Sequence, residues 1–214
     1  MSKKGILIVF EGGEGSGKTT QTNLLYQYLI DRKYKVYLTT EPGGHGGIGV
    51  FIRQLLRDPK YKDRIDNLAE FFLFQAARAQ HVNKEIKGRL KAGYVVICDR
   101  FHASTYAYQI EARKVLTNRE FKFIDRIARA GVEPDFSFLV DIRPEIGLSR
   151  KKSEGVLTRF EQEKLLFHKK VRRGFKKFFR NYVSRNKWLE VNGADPTEET
   201  HEKILKILNQ KKLI

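Results

Sequence analysis

Short apolar runs alternate with segments of helical periodicity along most of the chain. The runs are rich in β-branched and aromatic residues, as buried strands are, and comprise residues 6–10, 35–40, 94–99, 136–141 and 188–191. Apolar positions three and four apart predict helices at residues 19–32, 68–92, 121–130, 145–152, 160–184 and 197–208. Strands that alternate with helices predict an α/β fold, a five-stranded parallel sheet with helices on both faces.

No Pro-, Gly- or Ser-rich linker interrupts this alternation, so we expect a single domain over residues 1–214. The hydrophobic share of 41% and charged share of 31% are those of an ordinary globular protein. No apolar run approaches the roughly 20 residues that span a bilayer, and we expect no membrane partner. The lone cysteine, Cys98, cannot form an internal disulfide, which favours the reducing cytoplasm as its location.

The formal net charge of +17 is unusual for a chain of 214 residues. It favours an anionic partner, or it reflects a basic surface that faces water. Much of the charge lies in the predicted helix 160–184, whose apolar stripe is expected to cover the sheet while its cations are solvated. No nucleic-acid reader motif is recognisable, so we expect no specific nucleic-acid partner.

A glycine-rich segment, FEGGEGSGKTT, joins the first predicted strand to the first predicted helix. Gly12, Gly17, Lys18 and Thr19 complete the pattern G-x-x-x-x-G-K-[ST], and the strand before it and the helix after it supply the required context. Converging backbone N–H groups and a helix N-terminus bind phosphate, Lys18 reaches the β- and γ-phosphates, and the Thr19 hydroxyl ligates magnesium. The predicted ATP-binding residues are Gly12, Gly13, Glu14, Gly15, Ser16, Gly17, Lys18, Thr19 and Thr20.

Charged residues follow the other predicted strands at the carboxyl edge, where open α/β sheets bind ligands. Glu41 follows the second strand, and Asp99 and Arg100 follow the third. The acids can hold magnesium, for which we predict Thr19 and Asp99 as ligands, and Arg100 can hold a phosphate. The alternatives are a surface role for Glu41 and helix capping by Asp99. Asp141, after the fourth strand, is expected to cap the helix that begins at Pro144.

Several motifs, in this order along residues 6–165, resemble the thymidylate kinase family of P-loop nucleoside monophosphate kinases. They are FEGGEGSGKTTQ, EPGG with IRQLL, FFLFQAARAQHV, DRFHASTYAYQ and PEIGLSRKKSEGVLTRFEQE. The resemblance implies a three-layer P-loop NTPase fold with a short lid over about residues 150–160. It also implies transfer of the γ-phosphoryl of ATP to dTMP, giving dTDP and ADP, with Mg²⁺ as cofactor and a homodimeric state.

The resemblance also implies roles for individual residues in binding dTMP. Phe74 matches the aromatic that stacks on thymine and Arg78 the arginine that hydrogen-bonds it, and their spacing puts both on one helix face. Arg53 and Arg100 match the arginines that hold the acceptor phosphate. The remaining matches are Thr105 and Gln109, which touch the base, and Tyr108, which packs under the sugar and disfavours a 2′-hydroxyl.

The predicted catalytic residues combine the strand-end groups with two arginines of the lid. They are Lys18, Glu41, Asp99, Arg100, Arg150 and Arg159. The phosphate loop carries no arginine, so the lid is expected to offset charge on the transferring phosphoryl group. Which lid cation does so stays open, because Arg150 is also placed to lie against the adenine. Other acceptors, such as dUMP, dGMP or a deoxynucleoside, also stay open.

Overall fold

The computed structural model describes residues 5–153 and 155–214. Within these ranges five strands form one parallel sheet in the order β2-β3-β1-β4-β5. The predicted α/β class and the five-stranded parallel sheet are therefore confirmed. The strands are β1 (Ile6–Glu11), β2 (Val36–Thr40), β3 (Val95–Asp99), β4 (Phe136–Asp141) and β5 (Trp188–Asn192).

Helices connect successive strands and cover both faces of the sheet, which confirms the three layers. Two π-helical segments, Val82–Ile86 and Tyr106–Ala112, continue helices α3 and α5. The α-helices are α1 (Lys18–Asp31), α2 (Gly47–Arg57), α3 (Asn67–His81), α4 (Lys87–Lys91), α5 (His102–Thr105), α6 (Asn118–Arg129), α7 (Pro144–Ser153), α8 (Leu165–Tyr182) and α9 (Thr197–Gln210).

The central strand β1 shows how the layers form. Ile8 and Phe10 point to the face covered by α1 and α9, where Leu25 and Ile204 are fully buried. Leu7 and Val9 point to the opposite face and pack in a cluster with residues that follow α3. Since side chains alternate across a strand, a near-continuous apolar run is what a strand buried on both faces requires.

Two helical segments were missed by the sequence patterns. Helix α2 follows a glycine-rich loop and leaves Ile48 and Phe51 exposed, so its apolar positions do not mark a single buried stripe. The π-helical segment Tyr106–Ala112 is buried at every position. A segment that is buried on all sides has no solvent-exposed face to set a helical polar pattern, which accounts for the missed π-helical segment.

The long basic helix begins later than predicted, at Leu165 rather than Phe160. The backbone N–H of Thr158 donates to the Glu161 carboxylate at 2.7 Å, which fixes a turn before the helix. The apolar stripe of α8 also covers a helix rather than mainly the sheet, because Phe175 and Phe178 pack in one cluster with Tyr106 of the π-helical segment.

The expected helix cap at Asp141 is a further correction. Both carboxylate oxygens accept hydrogen bonds from Arg172 of α8, at 2.8 and 2.7 Å, and Lys176 lies 3.0 Å from one of them. Asp141 therefore joins the end of β4 to α8. Charge attraction across the fold decided its partner, where sequence proximity had suggested the N-terminus of α7.

Candidate active site

A cleft of about 990 Å³ opens at the carboxyl edge of the sheet. Residues from the phosphate loop line it together with residues that follow β2 and β3 and residues of α3, the π-helical segment and α7. Most predicted site residues thus come together. They are Glu14, Gly15, Ser16, Gly17, Lys18, Thr19, Thr20, Glu41, Arg53, Phe74, Arg78, Asp99, Arg100, Thr105, Tyr108, Gln109 and Arg150.

The phosphate loop depends on backbone geometry that only glycine adopts freely. Gly12 and Gly15 have φ of 149° and 64°. A Cβ on Gly12 would lie 2.3 Å from the carbonyl oxygen of Val140, and one on Gly15 would lie 2.1 Å from that of Gly147. The loop therefore packs directly against β4 and α7, and leads into the N-terminus of α1, where phosphate binds favourably.

Lys18 lies folded over the loop that it follows. Its ammonium donates to the carbonyl oxygen of Gly13 at 2.6 Å and to the Ser16 hydroxyl at 3.1 Å. Burial, together with the nearby charge of Arg100, lowers the pKa of Lys18 to about 8. An anionic ligand in the loop would oppose both effects, so the lysine is poised to be stabilised in its charged form by a polyphosphate.

The Thr19 hydroxyl and the Asp99 carboxylate lie side by side next to the loop. Thr19 donates to Asp99 Oδ2 at 2.6 Å, while Asp99 Oδ1 is buried and has no hydrogen-bond partner within the described part of the chain. A buried carboxylate oxygen without a partner beside a hydroxyl is a donor set that suits Mg²⁺. The two predicted magnesium ligands therefore fit the ion.

Glu14 belongs to the phosphate loop by sequence, but its carboxylate faces the other end of the cleft. Oε1 accepts a hydrogen bond from Arg100 at 3.0 Å and another from the Tyr108 hydroxyl at 2.7 Å. Burial alone would raise the pKa of Glu14, yet the charges of Arg100 and Lys18 outweigh it and lower the pKa to about 2. Glu14 thus stays ionised and joins the loop to the predicted acceptor side.

Glu11, at the end of β1, holds the segment that carries Arg100. Its carboxylate accepts hydrogen bonds from the backbone N–H groups of Phe101 and Ser104 and from the Ser104 hydroxyl. Burial raises the pKa of Glu11 to about 7, although these hydrogen bonds and Arg100 act in the opposite direction. Arg100 itself has a left-handed φ of 71°, a strained conformation that these anchors maintain.

Arg78 is buried at the acceptor end, and protein groups surround its guanidinium. It donates to Glu41 through Nε at 2.8 Å, to Thr105 Oγ1 through Nη1 at 3.0 Å and to the carbonyl of Phe101 through Nη2 at 3.1 Å. Asp125 lies 3.5 Å from Nη1. Glu41 is therefore the partner of Arg78, and its predicted contact with the transferred phosphoryl stays a prediction.

Arg53 borders the same end of the cleft and is held by the loop after β2. Its guanidinium donates to the backbone carbonyls of Pro42, Thr40 and Gly44 at 2.7 to 2.9 Å. Among the described residues these bonds use Nε and Nη2, which leaves Nη1 as the edge available to a ligand. The predicted contact with an acceptor phosphate is compatible with that arrangement.

Phe74 forms an apolar wall of the cleft. Its ring lies 5.8 Å from that of Phe160, centroid to centroid, and Thr105 and Gln109 line the same cavity. Phe71, one turn away, is fully buried, whereas Phe72 is 49% exposed. The helix thus divides its aromatic residues among the core, the surface and the cleft, as its periodicity demands.

Comparison with known proteins decides the family. The family model for thymidylate kinase matches residues 10–204. The thymidylate kinase of Nostoc punctiforme is 39% identical over 205 residues, which cover 95% of each chain. That of Sulfurihydrogenibium sp. is 38% identical over 98% of this chain and 100% of its own, and that of Protochlamydia amoebophila is 42% identical over 80% of this chain and 79% of its own. This chain belongs to the thymidylate kinase family.

The two arginines of the predicted lid lie in different environments in this thymidylate kinase family member. Arg150, in α7, lines the cleft and donates to the carbonyl oxygens of Gly15 at 3.3 Å and Gly193 at 2.8 Å. Arg159 is buried and binds the Glu70 carboxylate at 2.5 Å and the carbonyl of Leu56 at 3.0 Å. Within the predicted lid, Glu154 lies outside the described residues.

Several residues in or next to the cleft of this family member were not among the predicted site residues. Ser104 contacts both Glu11 and Arg100, and Glu70 holds Gln109 and Arg159. Gly193 and Thr197, after β5, line the cleft beside the phosphate loop. The rule that ligands bind after strand ends applies to β5 as well and could have found the last two, whereas nothing in the local sequence marks Glu70.

Within residues 5–153 and 155–214, each helix is too short or too polar to cross a bilayer.

Proposed function

We propose that this chain transfers the γ-phosphoryl group of ATP to dTMP, giving dTDP and ADP. The observation that carries the proposal is the shared cleft, in which the phosphate loop and the Phe74–Gln109 wall border one cavity. Membership in the thymidylate kinase family supports it, since the relatives described above bear that name. The enzyme would contribute to the supply of dTTP.

The chain's own groups would act mainly by positioning and by charge. Backbone N–H groups of the loop and Lys18 would hold the ATP phosphates, while Arg53 and Arg100 would hold the acceptor phosphate. Thr19 and Asp99 would hold magnesium, which when bound would offset negative charge on the ATP phosphates. A nucleotide phosphate is already ionised at neutral pH, so a strong general base is unnecessary.

Glu14 would also have a role on the acceptor side of the cleft, in addition to its position in the phosphate loop. Its ionised carboxylate binds both Arg100 and Tyr108, so it would fix the arginine that holds the acceptor phosphate and the tyrosine predicted to pack under the sugar. This arrangement connects the donor loop with the acceptor pocket through a single side chain.

We assign the charge-offsetting role in the lid to Arg150. It lines the cleft beside the loop, whereas Arg159 would have to leave its buried contact with Glu70 to reach the phosphates. Arg150→Ala should therefore lower kcat with little change in the free energy of unfolding, and Arg159→Ala should mainly lower that free energy. The opposite pattern would assign the catalytic cation to Arg159.

The test of the function is a coupled ADP-release assay with ATP, Mg²⁺ and a panel of nucleoside monophosphates. We expect dTMP to be the preferred acceptor over dUMP, dGMP and a deoxynucleoside, with dTDP identified as product. Rapid consumption of a different acceptor without dTDP formation would overturn the proposal. The exposed-lysine variant Lys206→Ala, on α9, should match the wild-type rate.

We further propose that the protein is a homodimer that works in the cytoplasm. Helix α3 packs between α2 and α6, and these three helices carry Phe51, Phe72, Phe123 and Ile127, which are 76%, 49%, 59% and 62% exposed. So many large apolar side chains on neighbouring helices favour an interface. Cys98 is buried and free, as suits a reducing compartment.

Light scattering after gel filtration tests the dimer. We expect about twice the chain mass of 24.9 kDa for the wild type and a shift to the monomer for Phe72→Glu/Phe123→Glu. Leu166→Glu, at a 64% exposed position on α8, is the matched control and should leave the mass unchanged. A monomeric wild type at all concentrations would refute the dimer.

A further inference from the structure

Glu70 is a fully buried carboxylate that binds three side chains. Oε1 accepts hydrogen bonds from Gln109 Nε2 at 2.7 Å and Arg113 Nε at 2.8 Å, and Oε2 accepts one from Arg159 Nη2 at 2.5 Å. The two guanidinium groups offset the charge of the carboxylate, without which its burial would be costly. Glu70 itself does not line the cleft, but Gln109 does.

The contact with Glu70 decides which way the Gln109 amide faces. An ionised carboxylate only accepts hydrogen bonds, so it binds the NH₂ end of the amide and not the carbonyl end. No group of the described residues donates to Gln109 Oε1, and Gln109 lines the cleft, so this oxygen is available as an acceptor for a ligand there. Reversing the amide would set two acceptors against each other inside the protein.

We propose that Glu70 is a positioning residue that locks Gln109 with its carbonyl oxygen toward the base, and thereby selects pyrimidines with an N3–H donor. Thymine and uracil carry that donor, while the N3 atom of cytosine is an acceptor. A free glutamine amide could turn and serve either base, and the locked one cannot. The inference rests on the proposed binding of dTMP in this cleft and adds the residue that enforces selection.

Cytosine would be rejected because its binding would leave buried polar groups of the site without hydrogen-bond partners. With cytosine in the cleft, the Gln109 carbonyl would face an acceptor, and turning the amide would break its bond to Glu70. A site that hydrogen-bonds its substrate rejects an analogue that leaves the site's polar groups without partners, and by a larger factor than shape alone provides.

The variant Glu70→Gln tests the lock, since its amide offers both a donor and an acceptor and permits both orientations of Gln109. We expect the ratio of kcat/KM for dTMP over dCMP to fall at least about tenfold, the effect of one hydrogen bond. The Ki of dCMP against dTMP turnover should fall relative to the KM for dTMP. Structural damage alone would lower both activities by the same factor and leave the ratio unchanged.

Two companion variants separate orientation from general disturbance. Glu70→Asp keeps a group that only accepts, so the ratio should stay near that of the wild type even if both rates decline. Glu163→Gln is the matched control, because Glu163 binds the same Arg113, at 2.8 Å, without a hydrogen bond to Gln109, and its ratio should be unchanged. A wild-type ratio in Glu70→Gln overturns the inference.

A double variant covers the case in which Glu70→Gln does not fold. If Glu70→Gln is unfolded because Arg159 lies unpaired, Glu70→Gln/Arg159→Met removes that charge and gives the same ratio as readout. A wild-type protein that does not phosphorylate dTMP would contradict the proposed function. A wild type that does so, with the ratio unchanged in the variants, would contradict only the role of Glu70.

Discussion

The two ends of the cleft are built in different ways. The phosphate end is one contiguous loop in which backbone groups surround the space for an anion, and glycines permit close packing against β4 and α7. The acceptor end collects side chains from α2, α3, the end of β3 and the π-helical segment, and buried ion pairs hold them in place. Local geometry shapes the first end, whereas long-range charge pairing shapes the second.

This difference has an energetic consequence. A backbone cradle loses little stability when one of its side chains is removed, because its shape does not depend on that side chain. A buried ion pair becomes strongly destabilising when only one partner is removed, because the other charge is left uncompensated. Substitutions at the phosphate end should therefore affect turnover, and those at the acceptor end should affect turnover and stability together.

Lys18→Ala should show the largest effect on turnover and almost none on stability. We expect kcat/KM to fall by about a thousandfold or more, the scale reached when a charge-stabilising group is lost from phosphoryl transfer. Steady-state kinetics and denaturant unfolding measure the two quantities. Near-normal turnover, or an unfolding free energy that drops by several kcal/mol, would contradict the proposed difference between the phosphate end and the acceptor end.

Arg78→Met should mainly lower stability, since it leaves the buried Glu41 carboxylate without its guanidinium partner, while Asp125 keeps Arg129 at 2.6 Å. We expect the free energy of unfolding to fall by about 3–5 kcal/mol, measured by urea denaturation. The double variant Glu41→Gln/Arg78→Met should regain much of this loss. ATP binding by the folded fraction should persist in both, and its loss would show that the two ends are not independent.

Phe74→Ala should weaken dTMP more than ATP. Stacking on an aromatic side chain contributes about 1–3 kcal/mol per base, so the KM for dTMP should rise by about five- to 150-fold at that scale. Phe74→Tyr keeps a ring at the position and should restore most of the affinity. An equal loss for both substrates would argue against stacking and for a general disturbance of the cleft.

The pH dependence of ATP binding should show the smallest effect. Because the pKa of Lys18 in the empty cleft is lowered to about 8, the side chain is charged below that pH and neutral above it. The phosphates of ATP favour the charged form, so affinity should be full below pH 8 and fall as pH rises, by up to about tenfold per pH unit.

Calorimetry in two buffers of different ionisation enthalpy measures the accompanying proton uptake. We expect protons to be taken up on ATP binding between about pH 8 and 9, and fewer in Lys18→Ala. Equal proton uptake in the wild type and the variant would assign the titration to another group.

The phosphate loop was recognisable from the local sequence, whereas Gly193 and Thr197 beside it and part of the acceptor end were not predicted. The pattern from Gly12 to Thr19 predicts a phosphate-binding loop, because most of its positions act through local backbone conformation. Arg78 and Phe74 line the cleft, and their roles in binding the base stay predictions. The ion pair between Arg78 and Glu41 joins residues 37 positions apart and left no local trace. The helical conformation of the segment with Tyr108 and Gln109 was missed because every position of it is buried.

The sequence by itself determined the alternation of strands and helices, the phosphate loop and the acids at the strand ends. These features follow from periodicities and conformational preferences that act within a few residues. Only the tertiary structure decided the partners of the buried charges: Glu14 with Arg100, Asp141 with Arg172, and Glu70 with Gln109, Arg113 and Arg159. A buried charge takes whichever opposite charge or donor the packed fold brings within reach, and that choice is not encoded in neighbouring positions of the chain.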